Sequence, residues 1–182
     1  LSGAILPNAN LIGADMSAAN LTKANLGDAN LSKAYLIKAN LNGANLKDAD
    51  LTLASLKDAD LSEAQLTGAE LSKANLAGAN LTRANLSKAN LLKANLRRTN
   101  LTQAYLNGAC LSESDLTEAC LDRANLCKAD LSKTYLRKIS FNGSHLSGIN
   151  LSGADLNGVD LSRKLLTGIN MAEALLNEAN LS

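Results

Sequence analysis

The sequence predicts an all-β array in which very short extended segments and corners stack on copies of themselves. Two observations carry that prediction. A leucine, or Met16, Phe141 or Met171 in its place, falls on every fifth residue from Leu1 to Leu181, with no insertion or deletion. Three residues after nearly every one stands an alanine, as at Ala4, Ala9, Ala14 and Ala19. A period this strict marks units that bury their apolar sides against neighbouring units.

Period five suits neither a regular helix nor a flat strand. On an α-helix, five residues advance the side chain about 140° beyond a full turn, so the leucines would spiral around the axis. On a strand, odd spacing sends successive leucines to opposite faces. The pattern is satisfied when each pentapeptide is a short extended piece followed by a corner. With the leucine at i, the alanine at i−2 then points the same way, inward. Positions i−1, i+1 and i+2 face out.

The outward positions agree with this division. Position i−1 is mostly Asn or Asp (Asn20, Asn25, Asn30, Asn75), residues that hydrogen-bond local backbone at turns. Position i+1 is rich in Ser and Thr. Position i+2 holds every glycine except Gly27, which marks the corner and a place where positive φ is useful.

Composition narrows the function classes. The 182 residues contain one Phe, three Tyr and no Trp, so the core is thin and made of Leu and Ala. Lys and Arg number 18 against 17 Asp and Glu, a net charge of +1 with no bulk attraction to nucleic acid or an anionic membrane. No apolar run approaches the roughly 18 residues of a membrane span, and no signal-like start is visible. Residue 1 is Leu, and the repeat runs into both ends, so the expectation is an excerpt of something longer. Cys110, Cys120 and Cys127 lack metal-type spacing and read as free thiols, which leans toward a reducing compartment.

The A-[N/D]-L-x-x signature resembles the pentapeptide repeat family over the whole chain. The resemblance implies a right-handed quadrilateral parallel β-helix, a solenoid with four pentapeptides per coil and about nine coils. At about 4.8 Å per coil the rod would be roughly 40–45 Å long. Residues 1–182 then form a single domain, with the last coil, about 161–182, irregular and serving as a cap or interface. The residues favour the twenty-residue coil independently. The inward alanines fail mainly near the C-terminal end, at Thr134, Ile139, Ser144, Ile149, Val159, Lys164 and Ile169. At a step of twenty, Ile139 sits under Val159 and Ile149 under Ile169, large on large, and Arg98, Glu118 and Lys138 alternate in sign.

Catalysis has little to work with, and no catalytic residue, cofactor site or metal site is predicted. The one histidine, His145, occupies an outward position where Asn is usual and reads as a surface variant. No cysteine lies in its own or an adjacent pentapeptide to form a nucleophile–base pair. Neither a phosphate-binding glycine loop nor a metal-ligand cluster is present.

Recognition by an outer wall is the stronger prospect. Sorting outward residues by wall puts Tyr35, Lys38, Arg97, Arg98, Tyr135, Arg137 and Lys138 on one side, a candidate protein-contact patch with Tyr and Arg anchors. Ile37 and Lys57 share that wall, and Asp115 and Glu118 interrupt it. Lys164 at an inward position, with Leu165 and Leu175 replacing Asn-like residues, marks the last coil as a candidate interface, for instance of a homodimer. Met171–Leu176 could alternatively close the rod as a short helical cap.

These readings give a non-enzymatic scaffold or protein-interaction rod whose partner is another protein, with no direct nucleic-acid binding and no membrane insertion. The location leans to the cytoplasm of a bacterium, with cyanobacteria as a candidate source. The alternative that the resemblance implies is a DNA mimic acting on DNA gyrase, as some family members do. Mimicry requires long acidic stripes, whereas these walls are close to neutral, and Phe at the central position occurs once, at Phe141.

Overall fold

The computed structural model describes residues 1–182, and nearly every pentapeptide follows one path. The two residues after each leucine form a turn, closed by the alanine amide donating back to the leucine carbonyl, as from Ala84 N to Leu81 O at 3.0 Å. Every i+2 residue from Gly3 to Glu178 has positive φ, including Lys88 (φ 61) and Arg98 (φ 56). Positive φ at the third turn residue alone is the type II arrangement. The sequence pointed to glycine for this role, but lysine, arginine and glutamate adopt it as often. Left-handed backbone costs a non-glycine residue roughly 1–2 kcal/mol. An axial hydrogen bond offsets that cost, for example Lys88 N donating to Asn107 O at 3.0 Å.

With two exceptions, the i−1 residues pair in parallel with the residue twenty further on, from Ile5 with Asn25 to Asp160 with Asn180. Four pentapeptides separate each residue from its partner, and one such length is a coil. The i−1 side chains reinforce the corners: Asn80 Oδ1 accepts from Thr82 N at 3.1 Å, and Asp50 Oδ1 accepts from Thr52 N at 2.9 Å. Some also bond along the axis, as Asn45 Nδ2 does to Asn25 Oδ1 at 2.8 Å.

Leucines and alanines from Leu21 to Leu161 form one continuous buried core. Three hydroxyl residues enter it at alanine positions without leaving a polar atom unpaired. Thr99 Oγ1 donates to Leu76 O at 2.9 Å, and Ser114 and Thr134 donate to Leu111 O and Leu131 O, each at 2.6 Å. No helix of the structure is long and apolar enough to cross a membrane.

Inside the rod the axial ladder opens in one place. The amides of Lys138, Phe141, Gly143 and Leu146 do not reach carbonyls one coil on, and those of Asp160 and Leu165 do not reach Ile139 and Ser144. The paired column lapses at the same point, between Ser140 and Asp160 and between His145 and Leu165. Volume explains the gap. Phe141 follows Leu121 in the leucine column, Ile139 follows Ala119 in the alanine column, and Lys164 faces Ser144. Close-packed interiors give way when larger side chains are inserted. Within residues 161–182 the departure from the repeating pattern lies at Leu165 and is shared with the coil before. Residues 171–180 keep the turn-and-bridge pattern, and Met171–Leu176 form no helix.

Candidate interaction surface

Pairing at twenty-residue steps arranges outward side chains in columns along the rod. Tyr35, Asp115, Tyr135 and Asp155 occupy one, and Lys38, Arg98, Glu118 and Lys138 occupy the next but one. Arg97, Arg98, Tyr135, Arg137 and Lys138 lie within a few coils of one another. Tyr35 and Lys38 do not join them, because Lys38 lies three coils below Arg98, about 14 Å away.

The predicted patch is neutralised from within. Arg97 Nη1 meets Asp115 Oδ2 at 3.1 Å, Arg98 Nε meets Glu118 Oε2 at 2.8 Å, and Lys138 Nζ meets Glu118 Oε1 at 3.9 Å. Arg137 Nε donates to Asp155 Oδ2 at 2.7 Å, and at the preceding corner, outside the patch, Lys93 Nζ pairs with Glu113 Oε2 at 3.3 Å. Cations and carboxylates thus alternate coil by coil. The Arg98 hydrogen bond, reinforced by its charge, holds the Glu118 carboxyl below its usual range and raises the Arg98 guanidinium. For Asp115, partial burial pushes upward, but bonds from Thr117 and Arg97 win and lower it. Arg97, Asp115, Thr117, Tyr135 and Arg137 line an open cleft of about 420 Å³. The exposed pairs among these add little stability, and together the pairs leave little net field for a charged partner.

The C-terminal candidates separate. Leu165 (76% exposed) adjoins a small cleft of about 110 Å³ at the ladder opening, shared with Cys127, Ser144, His145 and Ser147. Leu175 (51% exposed) pairs with Asp155 on the Tyr135 column. Ten residues, half a coil, divide the two, so they face opposite ways. Lys164 is half-buried, and its charge helps lower Asp160, though the main cause there is a hydrogen bond from Ser162.

A second surface escaped sequence reasoning. Arg83, Gln103, Tyr105, Arg123, Asn125 and His145 line a cleft of about 480 Å³ on the face half a coil from Tyr135. Tyr105 is 52% exposed there. Grouping residues around each leucine splits this face between two pentapeptides, whereas reading at steps of twenty across the corner would have exposed it.

The family profile for pentapeptide repeats matches in eight copies, overlapping from residues 1–32 through to 154–182. The chain belongs to the pentapeptide repeat family. This pentapeptide repeat protein is 35% identical to HetL, involved in heterocyst differentiation regulation in the cyanobacterium Nostoc sp. strain PCC 7120, over 98% of this chain and 87% of that one (TM-score 0.47). A pentapeptide repeat protein of the Arabidopsis thaliana thylakoid lumen is 32% identical over 54% of this chain and 70% of its own (TM-score 0.46). QnrB1, a plasmid-mediated fluoroquinolone resistance protein, is 17% identical over 94% of this chain and 90% of its own (TM-score 0.45). Comparison with curated protein sequences finds no match.

Proposed function

We propose that this pentapeptide repeat protein is a non-enzymatic rod that presents columns of side chains to a protein partner. The supporting observation is the division of labour within each pentapeptide. Two residues are spent on the Leu/Ala core, and the i−1 and i+2 residues are held outward by turn and axial hydrogen bonds, as at Asn80 and Lys88. Such a surface recognises by position, with side chains repeating about every 4.8 Å. In the same reading the coil is four-sided and right-handed and recurs about nine times, and the twenty-residue bridges support its length of four pentapeptides.

The test is photo-crosslinking in cells with benzoylphenylalanine placed at half-buried corner positions on opposite faces, Asn107 and Thr117. A discrete protein adduct from one face is expected, and adducts from neither would overturn the reading. The DNA-mimic alternative predicts inhibition of gyrase supercoiling at micromolar protein. The alternation of Arg98, Glu118 and Lys138 argues against it, since a mimic needs an unbroken acidic stripe. Self-association through the last coil predicts a dimer in sedimentation, and a monomer would exclude it.

A further inference from the structure

We propose that the face bearing Arg83, Lys88, Arg123, Lys128 and Arg163 is the docking surface for an extended acidic segment of a partner protein. The proposal rests on the interaction-rod reading and assigns it a face and a partner chemistry. Five successive coils contribute to this face residues 83–88, 103–108, 123–128, 143–148 and 163–168, and none of these stretches contains Asp or Glu. Half a coil away the wall of Arg97, Arg98 and Tyr135 alternates in sign and pairs internally. Of the cations on the open face, only Arg83 has a carboxylate, Glu63 at 3.7 Å on its lower edge. The nearby Asp122 turns to the next side, accepting from Ser140 Oγ and from Asn142 N at 3.2 Å. The net charge of +1 for the chain is therefore unevenly distributed, with its uncompensated part gathered on one face.

These cations are positioned. Gly143 follows Arg123 by one coil, and a Cβ there would come within 3.2 Å of Arg123 Cγ. Gly148 stands likewise to Lys128, at 3.6 Å from its Cγ. The stems of Arg123 and Lys128 thus lie over bare backbone, while Arg83 Nε donates to Gln103 Oε1 at 2.9 Å. Tyr105 stands exposed between Arg83 and Arg123, an arrangement typical of protein recognition sites. The ladder opening meets the same face, where the Gly143 and Leu146 amides lack their axial partners.

The spacing selects the occupant. Arg83, Arg123 and Arg163 lie two coils apart, about 10 Å per step. Three residues of a polyproline II segment make one turn of about 9 Å and return to the same face, so a partner in that open conformation with Asp or Glu at every third residue, lying along the rod axis, meets each arginine in turn. A nucleic-acid strand carries one charge per about 3.4 Å, and cations at these intervals would leave most of its phosphates unmatched.

The test uses fluorescence anisotropy with a fluorescein-labelled synthetic peptide carrying glutamate at every third position between serine and glycine. A peptide of the same composition with consecutive glutamates and a labelled oligothymidylate are compared with it. The spaced peptide is expected to bind most tightly, and Arg123→Gln with Lys128→Gln to weaken it by about tenfold. Arg97→Gln with Lys133→Gln, on the opposite face, is expected to leave binding unchanged. Absence of peptide binding, equal loss in both double variants, or tighter binding of oligothymidylate would each overturn the proposal. Crosslinks from Thr117 with none from Asn107 would overturn this docking face while leaving the rod reading intact. Crosslinks from neither would overturn both.

Discussion

Arg98 Nε donates to Glu118 Oε2 across one coil at 2.8 Å, and the same carboxylate meets Lys138 from the coil beyond at 3.9 Å. The pairing lowers the pKa of Glu118 in the folded state, and Asp115 beside it is lowered too. A carboxyl with a depressed folded pKa binds protons less readily than in the unfolded chain. It contributes stability above its unfolded pKa of about 4, which is lost as pH falls through the folded value. Acid titration followed by circular dichroism is expected to show stability declining below about pH 4. Arg98→Gln should shift the acid midpoint upward, and an unchanged midpoint would show the pair to be thermodynamically silent.

Replacing Ala84, fully buried in the mid-rod core, by leucine is expected to cost about 1–3 kcal/mol through overpacking. Replacing the exposed corner residue Lys88 by glutamate is expected to stay within about 0.5 kcal/mol. The same Lys88→Glu protein should bind the spaced acidic peptide more weakly. Denaturant melts showing equal effects would refute the inward and outward assignments.

Most of the fold was legible because the buried positions recur without interruption. Leu81 and Ala84 announce their inward direction through their spacing alone, and Ile139 with Val159 betrays the twenty-residue step. Positive φ at Lys88 and Arg98 was not legible, since an isolated turn favours glycine and only the axial hydrogen bonds sustain the alternatives. Surface electrostatics was harder still. Arg97 and Tyr135 stand out as recognition residues in the sequence, yet Asp115 lies between them in space and neutralises the Arg97 charge. Arg83 and Arg123 look unexceptional until the absence of acids across their coils is seen.

Amide exchange is expected to be faster at Phe141, Gly143 and Leu146 than at Leu121, Arg123 and Leu126, their counterparts one coil earlier. The former lack axial acceptors, whereas the latter donate to Ser140 O, Asn142 O and His145 O at 2.9, 2.7 and 2.9 Å. Phe141→Leu, which restores the column's usual volume, should slow exchange at Gly143 and Leu146. Equal rates across the two sets in the unaltered protein would contradict the opening.

Lys164→Ala returns an inward position to the residue its column prefers and relieves the crowding against Ser144. Thermal melts are expected to show a gain of about 0.5–2 kcal/mol. A loss instead would mean that the attraction between Lys164 and Asp160 holds that coil in place.

The opening at Phe141 also bears on how the molecule responds to load. Successive coils are tied by hydrogen bonds that run along the axis, so tension between the ends is shared by every row in series. A series fails at its weakest row, and here two neighbouring corners of one row carry no ties. Pulled from its ends, the protein would part between Phe141 and Leu165 first, with the covalent chain as a tether across the break. A partner gripping both Arg123 and Arg163 would splice that joint and turn two mechanical segments into one.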